Sequence, residues 1–131
     1  MEKKSDLLVV TKAKDLCSYV MTVTQKSPKQ FRFTFVTRLQ NLALDVIESI
    51  YFANEIFIGK DNHKNSADRI YLQRRALTTL KLIAYISELA MTQQCILFKQ
   101  YKNISQMVGE AINIAAAWKN EEKTISAGKT A

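Results

Sequence analysis

"KSPKQFRFTF", residues 26–35, fits two different backbones. Phe31, Phe33 and Phe35 alternate with Arg32 and Thr34, the two-residue period of a half-buried strand. Just upstream, Ser27-Pro28 reads as a helix start, a capping hydroxyl followed by proline at the first helical position. Which reading holds largely decides the fold. The whole chain argues for the helix, because three glycines and one proline in 131 residues are very few. A β-rich domain needs turn residues at intervals of about 8–12 positions. In the helical reading Phe31 and Phe35 are i,i+4 partners that open an apolar stripe running on to Leu39 and Leu42.

Interleaved basic and aromatic residues are also found on RNA-stacking strands, which place small residues beside the first aromatic so that the backbone sits close to the bases. Those positions hold Gln30 and Arg32 here, and Thr34 stands where valine is expected. The strand reading therefore fails on its own terms. Phe33 is left about 200° around the helix from the apolar face, beside Lys29 and Arg32. Packing against the first helix or an adjacent subunit is the expectation for it, with base stacking as the alternative.

Further helices follow from the same periodicity. Val9, Ala13, Leu16, Val20 and Val23 mark a first helix over about 6–25. The second spans about 28–58, its stripe continuing through Val46, Ile50 and Phe57, with Asp45, Glu48 and Glu55 on the opposite face. "GKDNHKNSAD" (59–68) reads as a polar loop. A third helix over about 68–93 carries Leu77, Leu80, Ile83, Ala84, Ser87 and Ala90 on one side. After a break near "CILFKQ", Ile104, Met107, Val108, Ala111, Ala115 and Trp118 define a fourth helix over about 100–120. Residues 121–131 are polar, small or charged and read as a flexible tail. The expected architecture is all-α, a single domain over 1–120 built as an up-down-up-down antiparallel four-helix bundle. At the usual helical rise the two long helices stand roughly 40 Å tall. Leu44, Tyr51, Phe52, Leu72 and Leu82 fall off the main stripes, which predicts a second buried surface between subunits, with Phe33 joining it; a wide helical face that buries more within one bundle is the alternative.

No catalytic constellation is evident. His63 is the only histidine, in the polar loop with Asp61 and Asp68, and the carboxylates of the second helix have no histidine partner. The glycines at 59, 109 and 128 form no phosphate-cradling loop. Cys17 and Cys95 lack metal or disulfide spacing and read as buried free thiols. No enzyme activity, metal or cofactor is expected. The chain has neither a run of 18 apolar residues nor a signal-peptide core at "MEKKSDLLVV", so a cytoplasmic protein without a membrane partner is expected.

The net charge of +7 points to an anionic partner. No acid lies between Asp15 and Asp45, where Lys26, Lys29, Arg32 and Arg38 fall. A second concentration holds Lys64, Arg69, Arg74, Arg75 and Lys81 against Asp68 alone, and Lys99 and Lys102 form a third. In an antiparallel bundle Lys26, Lys29, Arg32, Lys99 and Lys102 share one end, while Arg69, Arg74 and Arg75 mark the other. Arginine pairs bidentately with phosphate, so these residues are candidates for nucleic-acid binding through backbone charge and shape. A solvated basic surface, or one that meets an acidic protein, is the alternative.

The strings "SPKQFRFTFVTRLQNLALDVIESIYFAN" and "LQRRALTTLKLIAYISELAMTQQCI", with the closing "AAAWKN", resemble a known family over about residues 10–120. The chain is similar to bacterial four-helix-bundle proteins that include the accessory variability determinant (Avd) of diversity-generating retroelements. Proteins encoded in intervening sequences of ribosomal RNA genes are more distant relatives. The resemblance implies a homopentameric barrel that has no chemistry of its own. It also implies association with the retroelement's reverse transcriptase and template RNA in error-prone cDNA synthesis. Lys29, Arg32, Arg38, Arg74, Arg75 and Lys81 are the matching positions for the basic surface. Arg75 departs from the family pattern, which has an acidic residue before Ala-Leu, and makes the patch more basic.

Overall fold

The computed structural model describes residues 4–56 and 63–130, with side chains for 4–56 and 64–120. Four helices account for nearly all of it: α1 (Lys4–Thr24), α2 (Thr37–Glu55), α3 (His63–Thr92) and α4 (Phe98–Thr130). No strand occurs among the described residues. Each helix packs on two neighbours in the order α1, α2, α3, α4 and back to α1, the cyclic adjacency of an antiparallel bundle. Side chains tie the ends accordingly. At one end Gln40 Nε2 donates to Thr24 Oγ1 at 2.9 Å, and Asn103 Nδ2 donates to the Tyr19 hydroxyl at 2.9 Å.

The predicted stripes supply the core among the described residues, with Leu42, Leu77, Ala84 and Met107 partly buried against it. Val9, Ala13, Leu16, Val20 and Val23 of α1 are buried against Leu39, Val46 and Ile50 of α2 and their counterparts on α3 and α4. α1 ends on Thr24, whose hydroxyl folds back to the Val20 carbonyl at 2.7 Å. The α3–α4 turn is closed by a Schellman pattern: the Cys95 N–H bonds the Ala90 carbonyl at 2.8 Å and the Gln94 N–H bonds Met91 at 3.0 Å. Gln94 occupies the left-handed position there, at φ 66°. On the far side of the turn the Leu97 N–H donates to Gln100 Oε1 at 2.8 Å, one arm of a capping box that starts α4 at Phe98 rather than near residue 100.

Three further boundaries depart from expectation. α2 stops at Glu55, because Ile56 turns extended (ψ 118°). Phe57, Ile58, Gly59 and Asp61 lie outside the described residues. α3 begins at His63, so the polar residues read as loop up to 68 are already helical. α4 runs to Thr130, through the segment read as a tail, while the side chains of 121–131 lie outside the described set.

Residues 26–35 are helical but not simply so. Pro28 is extended (ψ 144°), and a 3-10 turn over Lys29–Phe31 passes into a π-helical turn over Arg32–Val36 before regular α2 geometry begins. The wide turn is marked by the Thr37 N–H and hydroxyl, which both donate to the Arg32 carbonyl five residues back. Phe31 and Phe35 pair as read, with ring centroids 6.0 Å apart. The expected Ser27 cap is not made, and no side chain caps this start. The Ser27 hydroxyl is instead buried without a hydrogen-bond partner, near enough to the Cys95 thiol to favour its charged form.

Candidate nucleic-acid interface

The basic residues around the start of α2 are all solvent-exposed: Lys26, Lys29, Arg32 and Arg38. The Ser27–Cys95 approach brings the 25–29 turn beside the α3–α4 turn, so exposed Lys99 and Lys102 share this end of the bundle. Two depressions flank Thr37. One, of about 480 Å³, lies between the end of α1 and the start of α2, with Lys29, Arg32 and Gln40 on its walls and no carboxylate. The other runs along the outer face of α2 past Phe33, Arg38 and Asn41 and ends at Asp45.

α3 presents the second group. Tyr71, Arg74, Thr78, Lys81 and Tyr85 are exposed at spacings of 3, 4, 3 and 4, one outward stripe of the helix. No acid interrupts α3 between Asp68 and Glu88. Arg75 stands apart from that stripe. It lines a groove between α2 and α3 with Asp45, Glu48, Ser49, Phe52 and Leu72, so its charge faces carboxylates as well as solvent.

Arg69 requires correction. It is only 7% exposed and belongs to the interior, not to a phosphate-binding surface. Its Nη1 donates to the Ala53 carbonyl at 2.7 Å and its Nη2 to Asp6 Oδ1 at 3.2 Å. Trp118 Nε1 donates to the same Asp6 oxygen at 2.7 Å, and the guanidinium carbon lies 5.7 Å from the Trp118 ring centre. Four helices thus meet on one buried ion pair. Asp6 carried no sequence signal beyond its place in the first turn of α1, and its partners lie 63 and 112 residues away.

Among residues expected at a subunit interface, Phe33 (86% exposed), Leu44, Tyr51, Phe52 and Leu82 are open to solvent. Leu72 is the exception, half-buried against the core. Tyr71, Tyr85 and Leu89 of α3 and Leu97 and Phe98 at the last turn are further exposed apolar residues that the stripe count missed.

Both cysteines are buried free thiols. Burial pushes the Cys17 thiol up, and does the same at Cys95, partly opposed there by the Ser27 hydroxyl. A raised pKa leaves less thiolate, the reactive form, at any pH below it. At pH 8 the native protein should therefore be modified by iodoacetamide far more slowly than the urea-unfolded chain. Mass spectrometry of the two states checks this; equal rates would mean that the thiols are accessible.

Asp45 is half-buried, and Glu48 and Glu55 are exposed. Among the described residues, no three His, Cys, Asp or Glu side chains stand together as a metal site, and no helix is long and apolar enough to cross a membrane. The His63 side chain and Asp61 lie outside the described residues. Neither a scan against protein-family models nor a search of curated proteins finds a match to this chain.

Proposed function

We propose that this chain is a non-enzymatic accessory protein of a diversity-generating retroelement, binding template RNA and its cDNA together with the partner reverse transcriptase. One observation carries the reading. The acid-free stretches either side of Thr37 and along α3 put Lys29, Arg32, Arg38, Arg74 and Lys81 on the surface of a rigid helical scaffold. Such a surface reads backbone phosphate by charge. The resemblance to the Avd family supplies the retroelement, the reverse transcriptase and a homopentameric assembly. The exposed apolar residues of α2 and α3 are consistent with contacts between copies.

Fluorescence anisotropy with labelled RNA across a salt series tests the core of this reading. Binding should weaken steeply with salt, log K falling by about 0.7–0.9 per phosphate contact for each tenfold rise. Arg74→Glu/Lys81→Glu should cost about tenfold in affinity at fixed salt. A folded protein that ignores RNA and DNA at low salt overturns the proposal.

A second reading, a protein-interaction bundle of the ribosomal intervening-sequence type, is favoured by Arg75 lying among Asp45, Glu48 and Phe52. A groove of mixed charge and apolar character suits a protein partner better than phosphate. The gene neighbourhood discriminates: a flanking reverse transcriptase gene with a template/variable repeat pair supports the first reading, and their absence supports the second.

A further inference from the structure

The start of α2 combines features that neither charge counting nor periodicity joins. The π-helical turn over Arg32–Val36 inserts an extra residue into the first turns of the helix. Phe31 and Phe35 both stay against the core while Phe33, between them, is 86% exposed. A phenyl ring held this far into water on an ordered helix gains nothing for the isolated fold. Arg32, its neighbour in sequence, and Lys29, one turn before it, line the carboxylate-free cleft on one side of Thr37. Phe33 lines the depression on the other side of Thr37, with Arg38. An aromatic face and a cationic cleft therefore share a single rim residue.

We infer that this site holds one unit of a single-stranded nucleic acid, its base stacked on Phe33 and its phosphate in the Lys29–Arg32 cleft. The chemistry selects single strands over duplex. A base in a helix has both faces covered, whereas an unpaired base is free to stack on a side chain, a contact every base can make. Charge complementarity supplies the phosphate: two cations and no acid line the cleft. Gln40, on the same wall, has a second amide N–H beyond the one it gives to Thr24. This inference rests on the nucleic-acid reading above and narrows it to one strand form at one site.

The test uses the full chain and three probes of equal length: a single-stranded RNA, a single-stranded DNA of the same sequence, and the RNA duplex. Phe33→Ala should weaken single-strand binding about tenfold, leave duplex binding unchanged and leave the assembly mass by light scattering unchanged. Phe33→Trp should restore affinity, and its indole fluorescence should be quenched on adding single strands, with the buried Trp118 as an unquenched reference. Comparing the RNA and DNA arms shows which strand the site prefers; quenching by either supports the site. If wild-type protein binds nucleic acid but Phe33→Ala binds single strands normally, this inference is wrong and the broader reading survives. A drop in assembly mass on Phe33→Ala also overturns it, by making Phe33 a contact between copies. If wild-type protein binds none of the three probes, both readings fail together.

Discussion

Replacing Arg69 with alanine is expected to destabilise the protein by about 3–5 kcal/mol, the usual cost of removing one partner of a buried ion pair. The substitution takes the Arg69 charge from beside the buried Asp6 carboxylate, which keeps its Trp118 hydrogen bond. It also takes the Nη1 donor from the Ala53 carbonyl at the end of α2 and the cation from beside the Trp118 ring. Each loss falls on a different helix, so the effect is global. With a urea dependence of about 1–3 kcal/mol per molar, the unfolding midpoint should fall by roughly 1–5 M. Asp6→Leu/Arg69→Met should recover part of that loss, because burying two apolar groups avoids the desolvation of both charges but takes the acceptor from the buried Trp118 Nε1–H. The paired variant also separates interior from surface: it should bind RNA as wild type does. A midpoint within experimental error of wild type for Arg69→Ala would mean that the network contributes nothing. Reduced RNA binding by the stable paired variant would return Arg69 to the interface.

That network shows where sequence legibility ends. The stripes on α1 and α4 were readable because a helix buries every third or fourth residue whatever it packs against. Val9 to Val23 and Ile104 to Trp118 accordingly fell into the core as spaced. Arg69 was misplaced because a charge count along the chain cannot see an acid that only the fold brings near. Asp6 comes from α1, and the carbonyl that completes the site comes from Ala53. The Ser27 cap failed for a similar reason: the tertiary turn buries that hydroxyl beside Cys95 on another connection, away from the helix start and without a hydrogen-bond partner. The extra residue of the π-helical turn left no mark in composition at all. An outward Phe33 between two inward phenylalanines follows from ordinary helical spacing, the middle residue lying about 200° from its neighbours' face, and mimics the alternation of a strand. The alternation in "QFRFTF" is thus helical spacing that imitates a strand over so short a run, and the backbone there is helical, as read, through a 3-10 and a π-helical turn.

Gln73→Met should raise stability by about 1–3 kcal/mol, against the trend for buried substitutions. Gln73 is fully buried on the inner face of α3, one turn beyond Arg69, and neither its Oε1 nor its Nε2 has a hydrogen-bond partner. An amide taken from water without a partner costs roughly 1–3 kcal/mol on protein scales. Methionine has a similar length, no polar terminus and enough flexibility to fill the space, so it removes that penalty without opening a cavity. Thermal and urea unfolding measure the gain directly, and a loss of stability would show that the amide is satisfied in solution. A stable methionine variant would then pose a sharper question, because a core that tolerates a costly amide keeps it for something other than stability. A buried polar group penalises pairings in which it must face a purely apolar stripe, and this helps fix which helices pack and in what register. In a bundle whose α2 and α3 also carry exposed Leu44, Tyr51, Leu82 and Tyr85, inner and outer faces of the same helices compete for burial. Gln73, with Arg69 and the buried Ser87 on the same face of α3, makes the inner face the one that only the correct neighbours can cover. Gln73→Met is therefore expected to gain stability and lose uniqueness: a higher unfolding midpoint, with faster hydrogen exchange or added oligomeric species. A variant that is more stable and equally uniform would remove the specificity argument and leave only the penalty.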